Sequence, residues 1–177
     1  LTGAVREAMP PGAKLAAVGV ASFGPIVVDP ASPRYGQMLA TPKAGWTGYD
    51  LRGAIAVELG APVVVDSDVN AAALAEQRLG AGRGKRLVAY VTVGTGIGGG
   101  LAIAGETLKG SPHPEIGHIR MVRLPGDAFA SGCPFHPDCA EGLVAGPAIR
   151  RGLGDIADLA DAPEVLALAA DYLAQLC

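Results

Sequence analysis

The sequence predicts an α/β protein, and three observations predict it. Short β-branched runs bounded by glycine or proline recur at residues 15–23, 62–65 and 87–93. Helix-compatible stretches lie between and after them, at 51–59, 70–79 and 163–177. The two element types alternate along the chain, the pattern of a sheet covered by helices.

The elements follow in order. Residues 1–9 read as a helical piece stopped by Pro10-Pro11-Gly12. The strand over 15–23 carries Val18 and Val20 and ends at Gly24-Pro25. Residues 26–50, rich in Pro, Gly, Ser and Asp, read as irregular; a loop of that length in a compact domain is usually functional or disordered. Asp50 is placed to cap a helix over 51–59, and Gly60 to stop it. The strand at 62–65 runs into Asp66-Ser67-Asp68 and then an Ala-rich helix over 70–79. After a Gly/Arg/Lys turn at 80–86, the strand 87–93 passes straight into Gly94-Thr95-Gly96-Ile97-Gly98-Gly99-Gly100, and 101–104 reads as a returning strand. Residues 163–177 repeat Val165, Leu166, Leu168, Ala169, Tyr172, Leu173 and Leu176 at helical spacing, a helix that needs a partner.

Composition excludes several classes. Glycine makes up 26 of 177 residues, roughly twice its usual ~7% share. With 50% apolar residues, 18% charged and a mean hydropathy of +0.34, the chain is not of the disordered type. No apolar run reaches the ~18 residues of a membrane span. The net charge is −3 and the 14 basic residues form no stripe, so neither a nucleic-acid nor a membrane partner is expected. No export signal opens the sequence, and three cysteines are too few for a disulfide scaffold. A reducing, cytoplasmic setting is the expectation. The chain begins at Leu1 inside one helical pattern and stops at Cys177 inside another, as an internal portion of a longer protein would.

Four groups of residues carry chemistry. The turn Gly94–Gly100, with the Thr95 hydroxyl inside it, can bring backbone N–H groups onto an anion, or can be a tight hairpin turn. It lacks the Gly-Lys-Ser/Thr of a P-loop and opens no helix. Asp66-Ser67-Asp68 stands at the end of a buried strand, where ligands bind in open α/β sheets. A carboxylate there can accept a proton from a substrate hydroxyl, or one of these residues can merely cap the next helix. Cys133, His136 and Cys139 form a Cys-x2-His-x2-Cys run, and His118 lies fifteen residues before it, a donor set suited to a closed tetrahedral zinc. Unpaired surface polar residues are the alternative. Glu115 and Glu141 flank these ligands and can accept from sugar hydroxyls, or be solvated loop charges.

Together these stretches resemble the ROK family of sugar kinases, and most closely its fructokinase branch. The resemblance rests on Gly24-Pro25-Ile26, Thr41-Pro42-Lys43-Ala44-Gly45-Trp46, Ser67-Asp68-Val69-Asn70-Ala71-Ala72 and Gly94–Gly100. It continues through Glu115-Ile116-Gly117-His118, the run from Cys133 to Gly142, Ala145-Gly146-Pro147-Ala148 and Tyr172-Leu173-Ala174-Gln175, in the family's order.

The resemblance implies an actin-like ATPase (ribonuclease H-like) fold of two lobes, incomplete at both ends, with residues 1–66 in the smaller lobe and 67–177 in the larger. A zinc loop would occupy about residues 113–142. It implies ATP-dependent phosphorylation of a hexose 6-hydroxyl, fructose above others, with Asp68 as general base. Ser67, Glu115, His118 and Glu141 would contact the sugar. His118, Cys133, His136 and Cys139 would hold Zn2+. Gly94, Thr95, Gly96 and Gly98 would meet the phosphates of Mg2+-bound ATP, with Gly146 and Pro147 near the adenosine. A homodimer is implied by relatives that form one. The alternatives are a sugar-responsive repressor of the same family and a zinc-stabilised sugar-binding module without catalysis. Two departures stand out: Ser67 replaces an Asn found in many relatives, and the family's Asp-x-Gly-Gly-Thr-Lys opening and later Gly-rich adenosine segment are absent.

Overall fold

The structure is a computed structural model and describes residues 2–41, 43–110, 114–153 and 162–176. Leu1, Pro42, His113 and Cys177, each within a stretch discussed above, lie outside the described residues. The chain divides into two compact units, Leu1–Tyr90 with Gly100–Pro114, and Val91–Gly99 with Glu115–Cys177. The lobe boundary expected at residue 66 concerns the complete two-lobe fold and is carried forward as part of the functional proposal.

In the first unit, α1 (Thr2–Ala8) precedes β1 (Val18–Ser22), α2 (Leu51–Leu59), β2 (Val63–Ser67) and α3 (Asp68–Leu79). β1 and β2 are parallel, Val18 opposite Val63 and Ser22 opposite Ser67. A parallel pair requires a crossover, and α2 lies in it. Both ends of α2 are made as the sequence predicts. Asp50 Oδ1 accepts the Gly53 N–H at 2.9 Å, and Gly60 adopts φ 64° while donating to the Ala56 carbonyl.

Residues 26–50 are not a free loop. Ile26, Val28 and Met38 are almost wholly buried and join Leu51, Ile55, Val63 and Val65 in one core. Isolated bridges tie Ile26 to Met38 and Gln37 to Asp50. The Tyr35 hydroxyl donates to the Val65 carbonyl at 2.8 Å and accepts the Val65 N–H at 2.7 Å, standing in for a strand along β2. Single apolar residues among turn formers carry no periodicity, which hides this packing in the sequence.

β3 (Leu87–Val93), β4 (Ile97–Ile103) and β5 (Glu106–Thr107) form a sheet in that order, with β4 and β5 antiparallel. The expected glycine loop is therefore shorter than its glycines suggest. The turn spans 94–96, closed by the Gly94 N–H on the Gly96 carbonyl at 2.9 Å, and residues from Ile97 onward are strand. At Gly100 a Cβ would strike the Val69 carbonyl and the Asn70 nitrogen, so this glycine lets β4 pass against the start of α3. Buried Gln77 secures the other end of α3, donating to the Lys85, Arg86 and Ala102 carbonyls and accepting from the Gly105 N–H.

The second unit holds the turn end of the β3–β4 hairpin, a 3₁₀ turn at Ile116–His118, α4 (Ala140–Val144), α5 (Gly146–Leu153) and α6 (Pro163–Ala174). Its core gathers Ile97, Met121, Leu143, Val144, Ala169 and Tyr172. α6 begins with Pro163 in its first turn and packs on α4, the partner its apolar stripe requires. Among the described residues, no helix is long and apolar enough to cross a membrane.

Candidate metal centre and carboxylate site

In the first unit the sequence Asp66-Ser67-Asp68 resolves into three different tasks. Asp66 is saturated: Oδ1 accepts the Ser67 N–H at 2.8 Å and the Asn70 side-chain amide at 2.9 Å, and Oδ2 accepts the Thr107 hydroxyl at 2.6 Å. Lys109 approaches the same Oδ2 at 4.0 Å. Ser67, 3% exposed, caps α3, its Oγ accepting the Asn70 N–H at 3.2 Å. Asp68 is exposed, and its carboxylate makes a local contact to the Val69 N–H at 2.9 Å. The sequence contains both carboxylates on equal terms, and their hydrogen bonds separate them. Asp68 is the one turned to solvent at the carboxyl end of β2, and Asn70, 1% exposed, locks the backbone beneath it by donating also to the Leu108 carbonyl.

In the second unit His118, Cys133, His136 and Cys139 converge, with their donor atoms all within 4.8 Å of one another. His118 Nδ1 lies 3.8 Å from each sulfur, and His136 Nδ1 lies 3.7 Å from Cys133 Sγ. Bonds of ~2.0–2.3 Å at tetrahedral angles place neighbouring N and S donors about 3.6 Å apart, so two thiols and two imidazoles at these distances fit a zinc ion. Burial pushes the Cys139 thiol up; the Gly142 N–H opposes the rise, and Cys133 and Glu141 add to it. A dication among these donors would supply the positive charge that a buried thiolate lacks.

Local structure explains why these four side chains meet. Gly117 has no room for a Cβ, which would strike the Ile97 carbonyl, so the 3₁₀ turn presses His118 inward beside β4. Glu115 stands at φ 48°, ψ 50°, left-handed for a residue with a side chain, at the entry to that turn. Cys139 is stitched to the segment after His118: Met121 N–H donates to Asp138 at 2.7 Å, and Ala140 N–H to Ile119 at 3.1 Å. The Cys139 sulfur also caps α4, accepting the Gly142 N–H at 3.4 Å.

Glu141 follows in the first turn of α4, and its Oε2 accepts the Ile97 N–H at 3.1 Å. The Gly146 N–H, at the start of α5, donates to the Gly94 carbonyl at 2.7 Å. The Cys/His cluster and the glycine turn are thus joined through α4, a link that motif spacing does not reveal. Of the residues expected around the phosphates, Gly94, Thr95 and Gly96 form the turn and Gly98 lies in β4, while Gly146 and Pro147 open α5 beside Gly94. The structure therefore gathers Glu115, His118, Glu141, the other metal-site residues and the glycine turn within the second unit, and Ser67 and Asp68 within the first.

One α/β unit thus carries a solvent-facing carboxylate, and a second carries a thiol–imidazole cluster tied to a glycine turn. The ROK family model matches residues 3–175, and the chain belongs to the ROK family. It is 41% identical over 162 residues to the fructokinase of Pediococcus pentosaceus, covering 91% of this chain and 56% of that protein. Among solved structures it is similar to the ROK hexokinase from Thermus thermophilus (31% identity, TM-score 0.67, covering 91% of this chain and 56% of that one). It is also similar to a ROK family glucokinase from Streptomyces griseus in complex with glucose and AMPPNP (32% identity, TM-score 0.62, 85% and 47% covered). The chain thus carries part of the actin-like ATPase fold of those sugar kinases and spans about half the length of the curated relatives it matches.

Proposed function

We propose that the protein to which this chain belongs transfers a phosphoryl group from ATP to a hexose hydroxyl, fructose being the favoured acceptor and its 6-hydroxyl the reacting group. The observation that carries the reading is Asp68, exposed at the end of β2 while its neighbour Asp66 is fully hydrogen-bonded. Family membership and the fructokinase, hexokinase and glucokinase names of the relatives support it.

In this reading the Asp68 carboxylate accepts the proton of the sugar hydroxyl as that oxygen attacks the γ-phosphorus of ATP and ADP leaves. Glu115, His118 and Glu141 hold the other hydroxyls, and Ser67 contributes mainly through the cap that fixes Asp68. The turn at Gly94, Thr95 and Gly96, with Gly98 behind it, faces the phosphates, and Gly146 and Pro147 lie against the adenosine. Magnesium bound to ATP would neutralise charge on the transferring group. Zinc held by His118, Cys133, His136 and Cys139 would be structural, since all four positions are taken by side chains. Residues 1–66 and 67–177 would then belong to the smaller and larger lobes, whose closure keeps water from competing as acceptor.

The test is to assay the full-length protein with Mg2+-ATP and fructose, glucose, mannose and N-acetylmannosamine. Fructose should give the highest kcat/KM, and the absence of phosphorylation of all four would overturn the reading. Metal analysis of the same preparation should find about one zinc per chain, and none at all would remove the metal assignment.

A further inference from the structure

The geometry points to Arg123 as a positioning residue of the metal centre, a guanidinium that closes the ligand-bearing loop before any ion enters; the inference rests on the metal reading above. Arg123 touches no proposed ligand. Its Nε donates to Asp138 Oδ1 at 2.8 Å, Nη1 to the Phe129 carbonyl at 2.5 Å, and Nη2 to the Pro137 carbonyl at 3.1 Å. One planar fork therefore fastens both ends of residues 129–138, the segment that contains Cys133 and His136 and leads directly into Cys139.

Main-chain bonds also hold the segment, the Gly132 N–H on the Gly142 carbonyl at 2.7 Å and the Met121 N–H on the Asp138 carbonyl at 2.7 Å, and Phe129 packs on the core, but the stretch that carries His136 is open to solvent. Phe135 is 74% exposed, and Pro134, His136 and Pro137 are exposed as well. Two polar ties from Ser131 lie within the loop itself: its hydroxyl donates to the His136 carbonyl at 2.8 Å and accepts the Cys133 N–H at 3.2 Å. Arg123 adds a side-chain connection from both ends of the loop to the core. Its Nη1 lies 3.4 Å from Asp127 Oδ2, and that oxygen accepts the hydroxyl of Tyr172, a wholly buried residue of α6. The Tyr172 oxygen accepts in turn the Leu124 N–H at 3.1 Å. Three donors in a fixed plane meeting a carboxylate and two carbonyls is a task for arginine, since a lysine ammonium cannot span the same acceptors. Partners beyond the ligands commonly set metal affinity, and their loss weakens it about 10- to 100-fold. A loop already closed has less ordering left to do when the ion arrives.

The experiment titrates the metal-free full-length protein with Co2+, read by its visible absorption, and with Zn2+ in competition with a chromophoric chelator. Arg123→Ala should weaken both affinities by about 10- to 100-fold, with an unchanged cobalt spectrum at saturation because the four donors remain. Arg123→Lys should give an intermediate loss and serves where the alanine variant fails to fold by circular dichroism. Hydrogen exchange on the metal-free wild type supplies a reading independent of variants: amides around residues 129–138 should be protected. Affinities of a folded Arg123→Lys protein within twofold of wild type, or an unprotected metal-free loop, would overturn the proposal alone. A wild-type protein that takes up neither ion would overturn the metal reading and this inference together.

Discussion

The carboxylate of Glu141 lies 3.1 Å from the amide nitrogen of Ile97. A residue two positions past a metal-site cysteine thus holds the backbone where the glycine turn becomes strand. In the proposed reaction the bond would give Glu141 an effect on the phosphate side in addition to the sugar contact proposed for it. A hydrogen bond to a charged group contributes about 1.5–3 kcal/mol. In the full-length protein Glu141→Ala should therefore raise the KM for ATP about 10- to 100-fold as well as that for sugar. Glu141→Gln, which keeps an acceptor oxygen, should restore the ATP value to a large degree. Steady-state kinetics with each substrate varied in turn would show it, and an unchanged ATP KM in Glu141→Ala would remove the link.

The two carboxylates flanking Ser67 should respond oppositely. Asp68→Asn should lower kcat by roughly 10²- to 10⁴-fold, the usual contribution of a general base. It should leave the melting temperature and zinc content unchanged, because Asp68 is exposed and, among the described residues, its carboxylate bonds only the adjacent Val69 N–H. Asp66→Asn should instead destabilise by about 1–3 kcal/mol, having forfeited charge-assisted bonds to Thr107 and its neighbours. Urea denaturation beside turnover measurements separates the two, and a stable but inactive Asp66→Asn would reverse the assignment.

Gly100 and Gly117 each face backbone where a side chain would go, Val69 in one case and Ile97 in the other. Backbone cannot move aside as a flexible side chain can. Gly100→Ala and Gly117→Ala should each cost about 1–3 kcal/mol or more, the range for overpacking. The second should also reduce zinc content, since it displaces His118. Normal stability in either variant would mean that the strand and its neighbour separate easily.

The Asp127–Tyr172 pair should make stability depend on pH at the acid end. Burial works to raise the Asp127 pKa, but the hydroxyl of Tyr172, the Phe129 N–H and Arg123 outweigh it and hold the carboxyl below its ordinary range. The contribution is therefore complete above the unfolded value of ~3.9 and is lost as pH falls through the lower folded value. Tyr172→Phe should cost about 1–2 kcal/mol near neutrality, and less below about pH 4 as Asp127 protonates. Thermal melts from pH 7 down to pH 3 would record this, and a constant difference would show that Asp127 does not sense the hydroxyl.

Much of this was legible in the residues themselves. Asp50 and Gly60 announce α2 because capping is local chemistry, and both ends fall where expected. The convergence of His118, Cys133, His136 and Cys139 is legible for a similar reason, three of the four recurring every third position within seven residues. The glycine run misled about length, because Gly98, Gly99 and Gly100 serve a strand whose neighbour in space, the start of α3, is some thirty residues away in sequence. Residue type and position alone do not separate Asp66 from Asp68; the family resemblance singles out Asp68, and the physical difference is made by Thr107 and Lys109, which engage Asp66. Arg123 passes unnoticed for a related reason: two of its acceptors are main-chain carbonyls, which leave no pattern, and its carboxylate partner Asp138 lies fifteen positions away.

The bond from Gly146 to Gly94 has one more consequence. That donation removes the first amide of α5, Pro147 has none to give, and the Ile149 amide is committed to the Ala145 carbonyl. Of the first-turn amides that leaves Ala148 N–H, so in the proposed reading any backbone donation from the start of α5 to a nucleotide would fall to that one residue.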